Sequence, residues 1–190
     1  MSSLKLTADS GGGTVEFKGP PTTTSNAAKV ITLSQNPGMI TQVVQAVKLD
    51  TQSFTGVTTG DFTDITGLSV DITPSSTSSK ILVMLHVNVG SANIPCIRLM
   101  RGSTPIGIGN AAGDRRQITT QTSFTNNYLS GAATPVFLDS PSTTSEITYK
   151  GQLSPEHSTH TVYINRCPND TDNYQGYRAI STITVMEVSG

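Results

Sequence analysis

"SSTSSKILVMLHVNVG", residues 75–90, decides the fold. From Ile81 the odd positions are Ile81, Val83, Leu85, Val87 and Val89, all apolar, while the even positions run Leu82, Met84, His86 and Asn88. A strand sends successive side chains to opposite faces, so strict alternation predicts a strand with one core face. The second face starts apolar and turns polar. A sheet face turned to water needs neither Leu82 nor Met84.

Working outward, the chain from about Met39 reads as strand after strand. "ITQVVQAVKLD" carries Val43, Val47 and Leu49 on one face; "FTDITGLSVDITP" carries Leu68, Val70 and Ile72, with Gly67 expected as a bulge or kink. After the opening stretch come "IPCIRLMRGS", "RRQITTQTSFT", "ATPVFLDS", "SEITYKGQL", "THTVYINR" and "AISTITVMEV". That makes about nine strands at sandwich-like spacing. The breaks "TPSSTSS", "GSTPIG", "DSPSTTS" and "CPNDTDNYQG" are rich in turn formers. No segment sustains a 3.6-residue apolar period. The expectation is an all-β chain: an antiparallel jelly-roll sandwich over residues 40–190, preceded by an extended N-terminal arm over residues 1–39.

The arm reads differently. "LKLTA" and "TVEFKG" flank "DSGGG", followed by "PPTTTSNAAK" and "VITL". Adjacent prolines disfavour helix and sheet. Too few large apolar residues are present for a core, so the segment is expected to be a weak hairpin or to order against another surface.

Composition narrows the function classes. In 190 residues the charged fraction is 13% and the net charge −1, so no basic field exists to hold nucleic acid. The start lacks a basic segment followed by a long apolar run, and "ILVML" is too short to span a bilayer, so neither a leader nor membrane insertion is expected. Cys96 and Cys167 have no paired-motif spacing. Two reduced thiols in a chain made in a cytoplasm is the favoured reading, with a disulfide between them left open.

The last strand shows the same two-sidedness as the opening one. Ile183 and Val185 face one way; Ile180, Met186 and Val188 face the other. A monomeric sandwich exposes one of these sets, whereas a symmetric oligomer buries it. Leu82, Met84, His86, Met186 and Val188 are therefore expected at a subunit interface.

Taken together, "FTDITGLSVDITPSSTSSKILVMLHVNV", "IRLMRGSTPIGIGNAAGDRR", "FLDSPSTTSEITYKGQL" and "TVYINR…NDTDN…GYRAISTITVMEV" resemble a family of marine bacteriophage virion proteins, many of cyanophage type. "MSSLKLTADSGGGTVEFKGPPTTTSNAAKV" is similar to the attachment segment of such fibre-like proteins. The resemblance implies a homotrimer whose knob is like the trimeric jelly rolls of tumour-necrosis-factor and complement-type heads. It implies a virion-surface protein, made in the bacterial cytoplasm and docked through residues 1–39 on the major capsid protein or on tail proteins. The chain has neither the repeats nor the heptads of a long fibre shaft, which favours a capsid decoration protein or short head fibre over a tail fibre or tail tip.

Reactive chemistry is sparse. "GIGNAAG" lacks dinucleotide-loop spacing and a following helix. His157 and His160, three apart, would lie on opposite faces of a strand and share a metal only from a loop. His86 would be a satisfied core histidine, or three symmetry copies could line an axial ion site. Asp114 beside Arg115 and Arg116 reads as a surface or inter-subunit ion pair. The loop "NDTDNYQGYR" is the richest. Asp170 and Asp172 alternate with oxygen-bearing neighbours, a pattern hard cations such as calcium accept, and Tyr174, Tyr177 and Arg178 beside them could hold a host surface glycan. An ordinary polar turn also explains it. With no triad and no paired glutamates, catalysis is not expected, and a polysaccharide depolymerase is the remote alternative.

Overall fold

The computed structural model describes residues 3–7, 14–18, 38–91, 93–123 and 126–190. The chain forms two compact units, Met1–Ser34 and Gln35–Gly190. In the first, β1 (Ser3–Thr7) and β2 (Thr14–Lys18) pair antiparallel, with Leu4 opposite Phe17, Leu6 opposite Val15 and Lys5 opposite Glu16. The stretches "PPTTTSNAAK" and "VITL" of the expected arm lie outside the described residues.

The second unit is all strand and loop: β3 (Ile40–Lys48), β4 (Gln52–Phe54), β5 (Thr63–Ile72), β6 (Lys80–Gly90), β7 (Cys96–Arg101), β8 (Thr104–Ile106), β9 (Thr120–Gln121), β10 (Ser130–Ala133), β11 (Val136–Asp139), β12 (Ile147–Ser154), β13 (Val162–Ile164) and β14 (Ser181–Val188). Among the described residues no helix is long and apolar enough to cross a membrane. Eight strands carry the topology. Taken in chain order as β3, β5, β6, β7, β8, β11, β12 and β14, one sheet runs first–eighth–third–sixth and the other second–seventh–fourth–fifth. That is the jelly-roll order, and the chain is an antiparallel β-sandwich of this class. Strand β6 is the hub. It pairs with β14 and β13 along one edge; β11 and β10 continue a single register along the other, interrupted at Pro135, whose carbonyl accepts from the Leu85 amide.

The core forms where alternation said it would. Ile81, Val83, Leu85, Val87 and Val89 are all buried, packed with Leu68, Ile97, Leu99, Leu153, Ile183 and Val185. Gly67 sits at φ +80° where β5 slips register against β12, the expected bulge. Gly151 lies on β12 beside Leu85: a Cβ there would come within 3.2 Å of that side chain, so the two sheets approach closely across this glycine.

Two polar knots pin the sandwich. Arg101 on β7 reaches both carboxylate oxygens of Asp139 on β11, at 3.1 and 3.0 Å, and Tyr149 on β12 donates to the same carboxylate. Asn165, fully buried at φ +62°, donates from its amide to the carbonyls of Lys48 and Asp50 and accepts from the Ser181 hydroxyl.

The structure corrects several expectations. Among its described residues "RRQITTQTSFT" is strand only at Thr120–Gln121, because the segment is spent on side-chain bonds instead: Arg116 donates to the carbonyls of Pro155 and Glu156, and Thr119 accepts from Leu99 and donates to Ile106. On β3 Val43 and Val47 do share one face, the outward one, since Val44, Ala46 and Lys48 turn inward; Leu49, expected with them, lies past the strand end, exposed. His157 and His160 are not on opposite faces of a strand. They flank a turn closed by the His160 amide on the His157 carbonyl, which brings the rings edge to face at 5.3 Å.

Candidate functional site

Two regions answer to the sequence analysis: the outer face of the sheet built on β6, and the loop between β13 and β14.

The outer face follows from register alone. Opposite one another across four strands stand Val43, Met186, Leu82 and Leu138; the neighbouring row is Gln45, Thr184, Met84 and Val136. The flanking rows are Val47–Thr182–His86 and Ile40–Val188–Lys80. Every strand contributes its alternate residues, so the apolar positions merge into one patch. Val136 is 62% exposed, Val43 55% and Leu138 46%, whereas Leu82, Met84, Met186 and Val188 in the middle are half-buried by those neighbours. The only polar groups in the two central rows are Gln45 and Thr184, and these bond each other, Nε2 to Oγ1 at 2.8 Å. The face therefore offers shape and apolar area rather than hydrogen-bond donors.

Sequence reading found Leu82, Met84, His86, Met186 and Val188, and the structure gathers them on this one face. Ile180, grouped with them, lies just before β14 and is exposed. Val43, Val47, Val136 and Leu138 were missed. The signal for the β11 pair was present, since Val136 and Leu138 flank Phe137, but four residues are too few to say which side is the core. His86 is half-buried beside Thr182 on this face.

The loop begins where Arg166, stacked on the Tyr163 ring at 3.9 Å, turns out of β13. Its Nη1 lies 3.5 Å from Asp170, and Arg178 donates to the other oxygen of the same carboxylate. The Arg178 guanidinium holds the Asp170 carboxyl below the usual carboxylate range. Asn173 caps its own turn through the Gln175 amide, and Gly176 is pressed so close to the Thr171 carbonyl that a Cβ would sit 2.3 Å from it. Asp170, Asp172, Asn173 and Arg178 line a shallow cavity of about 290 Å³. Tyr174 stands 90% exposed beside it and Tyr177 is partly exposed. Of the two aspartates in this loop, Asp170 is paired with both Arg166 and Arg178. Among the described residues no group of three or more His, Cys, Asp or Glu side chains is placed to hold a metal ion.

The remaining sequence candidates are structural in their contacts. Gly107, at φ +58°, is a turn packed on the Phe137 ring. Arg115 bonds the Ala112 carbonyl, and among the described residues neither it nor Arg116 pairs with Asp114, because both guanidiniums are taken up by carbonyl oxygens. Cys96 and Cys167 are buried free thiols, and burial pushes the Cys96 thiol up.

No protein-family model matches the chain, and no curated protein matches it. Among solved structures, the Gt strain of infectious bursal disease virus is similar at 11% identity and a TM-score of 0.43, over 97% of this chain and 46% of that one. The T=1 particles derived from infectious bursal virus are similar at 11% identity and a TM-score of 0.43, over 97% and 44%. The chain thus spans under half the length of the structures it matches. A likeness at this level assigns no function.

Proposed function

We propose that the chain is a non-enzymatic virion structural protein: a homotrimeric capsid decoration protein or short head fibre, docked through residues 1–39 and displaying the jelly-roll knob. The observation that carries this reading is the outer face of the β6 sheet. Four strands present Val43, Met186, Leu82 and Leu138 in one row, and the next row adds Met84 and Val136. Such a face is buried by assembly, and closed symmetric assembly is the common outcome for identical chains. The sequence resemblance to phage virion proteins supplies the setting and the three-fold symmetry. The absence of a repeat shaft from the sequence favours the shell over the tail.

A second reading rests on the loop. An aromatic ring left as open as Tyr174, beside a cavity lined by Asp172, Asn173 and Arg178, is suited to stacking on a sugar of the host surface. This favours a tail fibre or tail tip that contacts the host.

Two measurements test the proposal. Deleting residues 2–38 should leave a folded, oligomeric knob that no longer joins the particle; an insoluble product refutes the boundary between arm and knob. Copy number per virion separates the two mounts, because a shell protein is present in hundreds of copies and a tail protein in a few dozen at most.

A further inference from the structure

We propose that the outer edge of β3 pairs antiparallel with the β3 edge of a second copy of this chain, about a two-fold axis at Gln45. Strand β3 has nine residues and is hydrogen-bonded along one edge to β14; its other edge is hydrogen-bonded to no strand among the described residues, although β5 of the facing sheet approaches β3 closely. Sheets usually guard such edges by shortness, proline, charge or a bulge.

The other edges of this sandwich are guarded. Strands β4 and β8 have three residues each, β8 includes Pro105, β9 has two residues, and β10 and β11 have four each. Strand β5 is long, but it is broken at Gly67 and carries Asp64 and Asp71. Strand β3 differs from all of them. From Gln42 to Val47 it has no charge and no proline, and its irregularity lies at the start, opposite Glu187 and Val188. Lys48, the residue that could guard its end, is buried and held by Asp50 at 2.9 Å.

The strand's own sequence names the occupant. Free backbone N–H and C=O groups accept water or another extended strand. Paired with itself about Gln45, β3 sets Val43 opposite Val47, Val44 opposite Ala46 and Gln45 opposite Gln45. Apolar then meets apolar on both faces, and amide meets amide. Moving the axis to Val44 sets Val43 opposite Gln45 and loses that match. An axis on a residue also keeps both outer faces on one side of the joined sheet, so the row ending in Val43 continues into the second copy. This contact uses the edge, not the face assigned to the trimer. It links one assembly to the next and stands whether or not the trimer reading holds.

The full chain tests this by light scattering and cross-linking. Val43 and Val47 are each about half exposed, so charge is tolerated there by the fold. Because Val43 also lies on the outer face, the charges are placed in a Met84→Asp background, where Val43→Lys/Val47→Lys and Val43→Glu/Val47→Glu each set like charges opposite one another across the axis. Each such variant alone should have half the mass of the Met84→Asp protein, and an equimolar mixture should regain that mass. Under mild oxidation Gln45→Cys should give a disulfide-linked pair, whereas Gln42→Cys, which faces Lys48 in this register, should not. If both charged variants keep the mass of the Met84→Asp protein, if the mixture fails to regain it, or if Gln45→Cys stays unlinked, the edge pairing is overturned. Met84→Asp, which acts on the face, should leave the Gln45→Cys link intact, so failure of the trimer reading is read separately.

Discussion

The phenol of Tyr149 on β12 donates to Oδ2 of Asp139 on β11 at 2.7 Å, so one buried hydrogen bond joins the two sheets. Arg101 completes the knot from β7. Tyr149→Phe leaves the ion pair and removes one neutral donor, and should cost about 1–2 kcal/mol in urea unfolding. Asp139→Ala strips the partner from both Arg101 and Tyr149 and should cost more, about 3 kcal/mol or above. Equal losses in the two variants would show that the arginine contributes nothing.

The same bond sets an alkaline limit. Burial, then the Asp139 hydrogen bond, pushes the Tyr149 hydroxyl far above its ordinary value of 10.0. A folded pKa above the unfolded one means that the stabilisation is complete below the unfolded value and declines as pH rises past it. Wild-type stability should therefore fall above about pH 10 more steeply than that of Tyr149→Phe. Parallel curves would contradict this.

At the acid end the group to watch is Glu187, which is 2% exposed. Burial raises its carboxyl, but bonds from the Ser75 hydroxyl at 2.6 Å and the Ser75 amide at 2.7 Å outweigh burial and hold it below its ordinary 4.5. Its contribution is present above the unfolded value and is lost as pH falls through the folded one. Glu187→Gln should be less stable at neutral pH and lose less stability on acidification, with the β5–β6 turn loosening first by hydrogen exchange. An acid transition identical to the wild type would remove Glu187 from the account.

These contacts mark how far the sequence could be read. Alternation alone identified the β6 core face, and a lone Gly67 within an apolar pattern identified the bulge. Both are local, repeated signals. "RRQITTQTSFT" has the composition of a strand, yet its threonines and Arg116 bond to loops far away in the chain, and no local pattern announces that. Glu187 and Asp139 sit in strands where a charge suggests solvent, and only the tertiary fold, which brings the Ser75 turn to one and Arg101 of β7 to the other, explains their burial. The outer face was half legible: its centre lies on long strands with clear alternation, its margins on β3 and the four-residue β11, where either side could have been the core.

Asn165 combines a left-handed backbone with three side-chain hydrogen bonds. Asn165→Gly keeps the conformation easily but loses the bonds; Asn165→Ala loses both. Alanine should therefore be the worse replacement by about 1 kcal/mol, on top of a shared loss of about 2–4 kcal/mol. A glycine variant as stable as the wild type would mean that the bonds are dispensable.

The sharpest test returns to adjacent residues on β6. Val83 is fully buried between Val185 and Phe137, while Met84, one residue on, lies on the outer face between Thr184 and Val136. Val83→Asp puts an unpaired carboxylate into the sandwich core, which costs several kcal/mol and should abolish the fold. Met84→Asp leaves that core intact, so circular dichroism of the variant should retain the strand signal. If the face is buried against other copies, each copy brings its own carboxylate into that contact, and the penalty falls on assembly. The expected product is a folded monomer by light scattering, or an edge-linked pair. A Met84→Asp protein that keeps the wild-type mass and melting temperature would show that this face meets water, and the homotrimer would lose its structural support.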